Sequence, residues 1–302
     1  MNIKLIRGRA PCGTLVGMPA SPPRLYGIMA ARAPVAVIFR HGPKKWWWLG
    51  RWDLALNEVT PGAWFHGSLY PRRGDLSPDG ELLYYFALKA SGRPFLGSAG
   101  LQAYSAVSKA PWLFALAAWR ESGTWTRGYH FIEGPSPDQR PWDIGAPDAG
   151  TATPLRARLG LAKTEPLQYA CERRRGWIEH ERCPPRDPGD VWDENRSVIL
   201  AKPRPGGTGR LVLEDRGWHS NKPGMIEGRS PIYSLEMRKR TVPLEDVVWA
   251  DWDSLGRLLV ATAAGRLQMR DPESLDLREG REHDLSALSP SPREAPKEAQ
   301  RW

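Results

Sequence analysis

The stretch Arg72-Arg73-Gly74-Asp75-Leu76-Ser77-Pro78-Asp79-Gly80-Glu81-Leu82-Leu83-Tyr84-Tyr85-Phe86-Ala87-Leu88-Lys89 decides how this chain folds. Within it, Ser77-Pro78-Asp79-Gly80 specifies a turn. Pro78 presets φ, Asp79 hydrogen-bonds nearby backbone, and Gly80 takes a positive φ at no steric cost. The run after it, rich in Leu, Tyr and Phe, predicts a strand that begins where the turn ends. The same form returns as Asp251-Trp252-Asp253-Ser254-Leu255-Gly256-Arg257-Leu258-Leu259-Val260-Ala261. Both copies fit Asp-x4-Gly-x-Leu-Leu, and the pair predicts an all-β chain of repeated antiparallel modules.

Composition agrees with strands. The 302 residues are 41% hydrophobic and 25% charged, ordinary for a globular chain, but they include 15 Trp. Aromatics at this density favour sheets packed on sheets. Gly (30) and Pro (29) supply the tight turns that many short strands need. The net charge of +9 comes from 33 Arg against 10 Lys. Arginine forks onto phosphate, so a nucleic-acid surface is one reading. Compositional bias is the other, and the scatter of the basic residues favours it. Cys12, Cys171 and Cys183 make no disulfide framework. No apolar run approaches the ~18 residues of a membrane span, and Gly13, Gly17 and Pro19 interrupt any signal-peptide core. A cytoplasmic, non-membrane protein is expected by elimination.

Residues 1–23, with four prolines, are expected to form a flexible leader, and 24–271 to form the β domain. Val35–Phe39 reads as a buried strand returning through Lys45–Leu56, with Thr60-Pro61-Gly62 closing the pair. Ala110–Trp119, Leu167–Cys171, Ser197–Ala201, Arg210–Glu214 and Ile232–Leu235 read as further strands. Residues 133–166 form a Pro/Gly-rich insertion. From Pro272 to the end the chain is charged and Pro/Ser-containing, so a disordered tail is expected.

Leu49-Gly50-Arg51-Trp52-Asp53-Leu54 resembles the closing strand of a WD-repeat blade. Asp75–Gly80 with Leu82-Leu83 resembles the inner hairpin of WD-repeat and related bacterial propeller blades. The two copies lie 176 residues apart, four units of 44 within the roughly 40–45-residue period of such blades. The Gly-His that opens a WD blade is missing, and Trp252-Asp253 precedes its strand pair instead of ending one. The resemblance implies an irregular β-propeller of about five to seven blades. By analogy it also implies a non-enzymatic scaffold for a protein or peptide partner.

Chemical signatures are sparse. There is no phosphate-cradling Gly-x4-Gly-Lys-Ser/Thr loop and no Gly-x-Ser-x-Gly elbow, and no cofactor is expected. Cys171, His180 and Cys183 are the one zinc-like set, against ordinary buried thiols. Asp75/Asp79 and Asp251/Asp253 are paired carboxylates suited to capping backbone amides, with acid–base work the alternative. An enzyme with its site in a propeller channel would need such groups clustered there. Arg72 and Arg73 precede the module's turn, where a propeller presents its docking face, and Arg173-Arg174-Arg175 is placed to flank the same surface. Trp46 and Trp48 share one strand face and suit stacking on a base or sugar, or filling the gap between sheets. Trp218 and His219 lie in a polar loop with a contact role. These six residues (Arg72, Arg73, Trp46, Trp48, Trp218 and His219) are the candidate binding set.

Overall fold

The computed structural model describes residues 23–90, 101–121, 123, 126–132, 156–164, 168–182, 196–217, 226–238, 240–273 and 277–302. The expected leader lies outside them apart from Pro23, as do residues 133–155 of the expected insertion. The described chain is an all-β structure of five antiparallel sheets. The first is a meander of β1 (Arg24–Met29), β2 (Val35–His41), β3 (Trp46–Asp53) and β4 (Glu58–His66). The second holds β5 (Ser68–Leu69), β6 (Asp75–Leu76), β7 (Leu82–Ala90), β8 (Leu101–Lys109) and β9 (Ala117–Arg120). A third pairs β10 (Tyr129–Phe131) with β11 (Leu161–Lys163). The fourth runs β12 (Ile178–Arg182), β13 (Val198–Pro203), β14 (Arg210–Asp215), β15 (Ile232–Met237) and β16 (Arg240–Pro243). The fifth runs β17 (Val247–Trp252), β18 (Leu258–Thr262), β19 (Arg266–Arg270) and β20 (Leu277–Asp284).

The two Leu-Leu pairs explain how the sheets share a core. Successive side chains on a strand face opposite sides. Leu83 and Leu259 therefore enter one large cluster with Ile28, Val37, Leu49 and Trp249. Leu258 turns the other way, toward Trp177, Leu213, Tyr233 and Trp252. Leu82 turns toward Trp119, Phe131 and Leu159. Strands β7 and β18 are thus buried on both faces, each burial of a Leu side chain contributing about 1.5–3 kcal/mol. Strand β1 packs against β17 and β6, β17 against β15, and β6 against β10. Strands β1 and β17 come close at Gly27, where an added Cβ would sit 2.5 Å from the Trp249 ring.

Both module turns follow the predicted chemistry. Gly80 has φ +77 and Gly256 φ +70. Asp79 accepts from Glu81 N at 3.0 Å, and Asp253 accepts from Leu255 N at 3.0 Å and Arg257 N at 2.8 Å. The second sheet also carries a hydrogen-bond chain across three strands. Tyr84 Oη meets Ser105 Oγ at 2.7 Å, Ser105 Oγ donates to Glu121 Oε1 at 2.6 Å, and Trp119 Nε1 donates to the same oxygen at 2.8 Å.

Four expectations are corrected. The tail expected to be disordered supplies β20, because a charged strand needs only ladder partners and one packed face. Glu282 accepts from Arg266 Nη1 at 2.6 Å, Leu285 is buried, and its carbonyl accepts from the buried Arg40 at 2.6 Å. Pro61 does not close a hairpin. It lies within β4, a sheet edge where a missing N–H costs no ladder bond, and the turn falls earlier, where Asp53 caps Ala55 N and Leu56 N at 3.0 Å each. The arm expected over Ala110–Trp119 shortens to β9, since Trp112 N turns back to Lys109 O at 2.8 Å. The strand expected over Leu167–Cys171 is replaced by a short helix, Ala170–Arg174, entered through Tyr169 at φ +57. Residues 165–167 lie outside the described residues. Among the described residues no helix is long and apolar enough to cross a membrane.

Candidate functional site

A 3-10 turn at Pro71–Arg73 carries the module's two arginines inward. Pro71 presets the turn, and Gly74 N closes it on Pro71 O at 2.9 Å. The Arg72 guanidinium lies over two tyrosine rings, 4.9 Å from the centroid of Tyr26 of β1 and 4.9 Å from that of Tyr169. Its Nη1 donates to Glu172 Oε1 at 2.9 Å, and the Tyr26 hydroxyl donates to the same oxygen at 2.9 Å. Arg73 stacks on Tyr70 at 4.6 Å and faces Glu227 at 3.6 Å. The other Glu227 oxygen accepts from Arg72 N at 2.7 Å.

The helix Ala170–Arg174 fits this place because its side chains find partners on three sheets. Cys171 is buried and its thiol donates to the carbonyls of Arg72 (3.4 Å) and Gly74 (3.3 Å). Arg175 pairs with Asp75 and donates to Met29 O at 2.9 Å. Arg229 pairs with Asp215, both almost fully buried, and stacks on Tyr169 at 5.6 Å. Burial raises the Tyr26 and Tyr169 phenols well above their ordinary value, so both stay protonated, and Glu172 adds to the effect at Tyr26. Burial likewise pushes the Cys171 thiol up to about 11 against the pull of Arg174 and Arg175, which makes it a poor nucleophile.

A cavity of about 210 Å³ opens beside these groups. Leu25, Ile226, Ile232, Leu244, Val247 and Val248 give it aliphatic walls. Tyr26, Arg72, Arg229, Ser230 and Glu245 give it polar ones. The arrangement can hold a small group that is apolar on one side and hydrogen-bonding on the other.

Of the sequence-predicted residues, Arg72 and Arg73 converge here as half-buried, ion-paired groups. Arg175 joins them through Asp75, whereas Arg173 pairs with Glu179 at 2.6 Å. Trp46 and Trp48 lie on β3, two strands away from β1. Trp48 is buried over Gly50, while the half-buried Trp46 meets His66 at 4.9 Å and Trp64 at 6.3 Å. Trp218 and His219 lie outside the described residues, as do Cys12 and Cys183. His180 faces Arg210 at 3.1 Å, and among the described residues no three His, Cys, Asp or Glu side chains come together as a metal site. Tyr26, Tyr169, Glu172, Glu227 and Arg229 escaped the sequence reading. A helix hidden in a stretch read as a strand concealed Glu172, and isolated Tyr and Arg residues carry no motif.

No protein-family model matches the chain, and no curated protein matches its sequence. Among solved structures, Kuenenia stuttgartiensis hydrazine synthase aligns over 88% of this chain and 81% of its own, at 12% identity and a TM-score of 0.31. Overlap at that level carries no argument about function.

Proposed function

We propose that the chain is a non-enzymatic β-propeller scaffold that binds a protein or peptide partner, and that the cavity beside Arg72 receives part of it. The radial arrangement is supported by meandering antiparallel sheets whose strands β10, β6, β1, β17 and β15 adjoin in that order. It is supported as well by the Leu-Leu strands, each of which feeds the shared cluster from one face and a flanking cluster from the other. The observation that carries the binding reading is the cavity itself. At about 210 Å³ it falls below the roughly 300–1,000 Å³ of pockets for drug-sized ligands, which suits one inserted side chain or chain end. The carboxylates around it favour binding over acid–base chemistry. Glu172, Asp75 and Asp215 are each committed to an arginine, which leaves Glu245 as the one carboxylate among the described lining residues.

Affinity purification of the tagged full chain beside a Val248→Trp variant, which fills the cavity, tests this reading. The expected result is a protein retained by the wild type, lost from the variant, and bound again when both purified proteins are mixed. Identical sets of retained proteins, or no binding between purified components, would overturn it.

A further inference from the structure

We infer that the group received in the cavity is a carboxylate on a small aliphatic body, supplied as the C-terminal residue of a partner peptide. The inference rests on the cavity being a partner-binding site and adds the chemistry of what enters it. Arginine has five N–H donors in a planar fork. Among the described residues the Arg72 side chain places one hydrogen bond, from Nη1 to Glu172, and that acceptor oxygen is already shared with the Tyr26 hydroxyl. Arg72 Nε is buried out of reach of the cavity, so the donors open to a ligand are at the Nη end, where Nη2 makes no hydrogen bond to a described residue. The Tyr26 and Tyr169 ring centroids each lie 4.9 Å from the central carbon of the guanidinium, and because its N–H donors all lie in the guanidinium plane, a further acceptor must approach along that edge. A planar carboxylate meets that demand with two oxygens, in a way a lone carbonyl does not.

The rest of the cavity sets what the carboxylate is carried on. Leu25, Ile232, Leu244 and Val248 give it aliphatic surface, while Arg229, Ser230 and Glu245 make up the rest of its polar wall, and Glu245 disfavours a ligand carrying more than one negative charge. A ligand that is charged all over, such as a polyphosphate or a run of acidic side chains, would leave those walls facing unpaired polar atoms. A C-terminal residue with an aliphatic side chain places a carboxylate and a hydrocarbon on one Cα, within the span of a cavity of about 210 Å³.

The test is fluorescence anisotropy of the full chain with labelled hexapeptides ending in Val, Leu, Ile or Phe, each made with a free C-terminal carboxylate and as the amide. At least one free-acid peptide is expected to bind about tenfold or more tightly than its amide. N-acetyl-leucine is expected to compete. Arg72→Lys, which keeps the charge but loses the fork, is expected to erase the preference for acid over amide. Val248→Trp is expected to abolish binding of both forms, and it serves as the control if Arg72→Lys fails to fold. Equal binding of acids and amides would overturn the carboxylate while leaving the scaffold reading standing. Binding of N-acetyl-leucine with no peptide binding would overturn the peptide as its source. Absence of binding throughout would overturn the inference, and the purification experiment would then decide separately whether the chain has a protein partner.

Discussion

The two copies of Asp-x4-Gly-x-Leu-Leu are alike where the fold needs them and different where the site is. Each has a glycine at positive φ, a turn capped by an aspartate, and a Leu-Leu strand shared between two cores. They part in the turn, which closes from Ser77 N to Leu82 O in the first copy and from Asp253 N to Arg257 O in the second, one residue shorter. They part again at the module's leading aspartate. Asp75 holds Arg175 and accepts from Phe131 N at 2.8 Å, tying β6 to the third sheet. Asp251 holds Lys202 at 2.5 Å and so ties β17 to β13. Three residues ahead of each aspartate the contrast is sharpest, because Arg72 and Val248 occupy matching positions and both line the same cavity. One copy gives the cavity its guanidinium and the other gives it an aliphatic wall. One divergent position thus gives two copies of the same hairpin different parts in the cavity wall.

The aspartates give the largest expected difference between the copies. Asp75→Ala strands Arg175, which cannot shed its proton and is pinned by Met29 O. Removing one partner of a buried pair costs about 3–5 kcal/mol. Asp251→Ala leaves Lys202, whose flexible stem lets its ammonium reach water, so about 1–3 kcal/mol is expected. Urea unfolding of the two variants measures both. Equal losses would mean that the two staples are interchangeable and that Arg175 has no special place.

The glycines reverse the ranking at a smaller scale. Holding a non-glycine residue in the left-handed region costs about 1–2 kcal/mol. Gly80→Ala should lose about that amount, since its nearest neighbour is the Val35 side chain at 3.2 Å. Gly256→Ala should lose more, because the new methyl meets the carbonyl oxygen of Pro205, which belongs to backbone and yields less readily than a side chain. Thermal unfolding in which Gly80→Ala is the worse of the two would break the account of the shorter turn.

How much of this was legible in sequence follows from the same contrast. Ser77-Pro78-Asp79-Gly80 was readable because local turn chemistry acts within four residues. The Leu-Leu strands were readable because both faces are apolar. Glu172 and Arg229 were not, since what makes them matter is pairing with Arg72 and Asp215 across 100 and 14 residues. The helix at Ala170–Arg174 was misread because five residues give no periodicity, and its start depends on a left-handed Tyr169 that no rule predicts. Strand β20 was missed because its Glu282 is met across the ladder by the Arg266 guanidinium and the Gln268 amide, a cross-strand match invisible in a linear reading.

Acidity offers the smallest effect and a background common to both copies. His41, at the end of β2, stacks on Trp47 with ring centroids 4.3 Å apart. Burial, and after it the nearby charge of Arg24, lowers its value from 6.5 to about 4. The folded protein therefore holds His41 neutral while the unfolded chain protonates it. Its contribution is fully present above pH 6.5 and is lost as pH falls from 6.5 to about 4, because the unfolded state binds the extra proton across that window. The full shift corresponds to about 3 kcal/mol, and contact of the ring with water reduces the expectation to about 1–2 kcal/mol. His41→Phe should flatten the fall in stability between pH 6.5 and 4 by that amount, as read by urea unfolding at each pH. The same background acts on Asp75→Ala and Asp251→Ala, so the gap between those variants should hold at pH 7.5 and at pH 5.5 alike. A His41→Phe protein with an unchanged acid slope would assign the loss to other groups, and the comparison of the two aspartates would then have to be made at neutral pH alone.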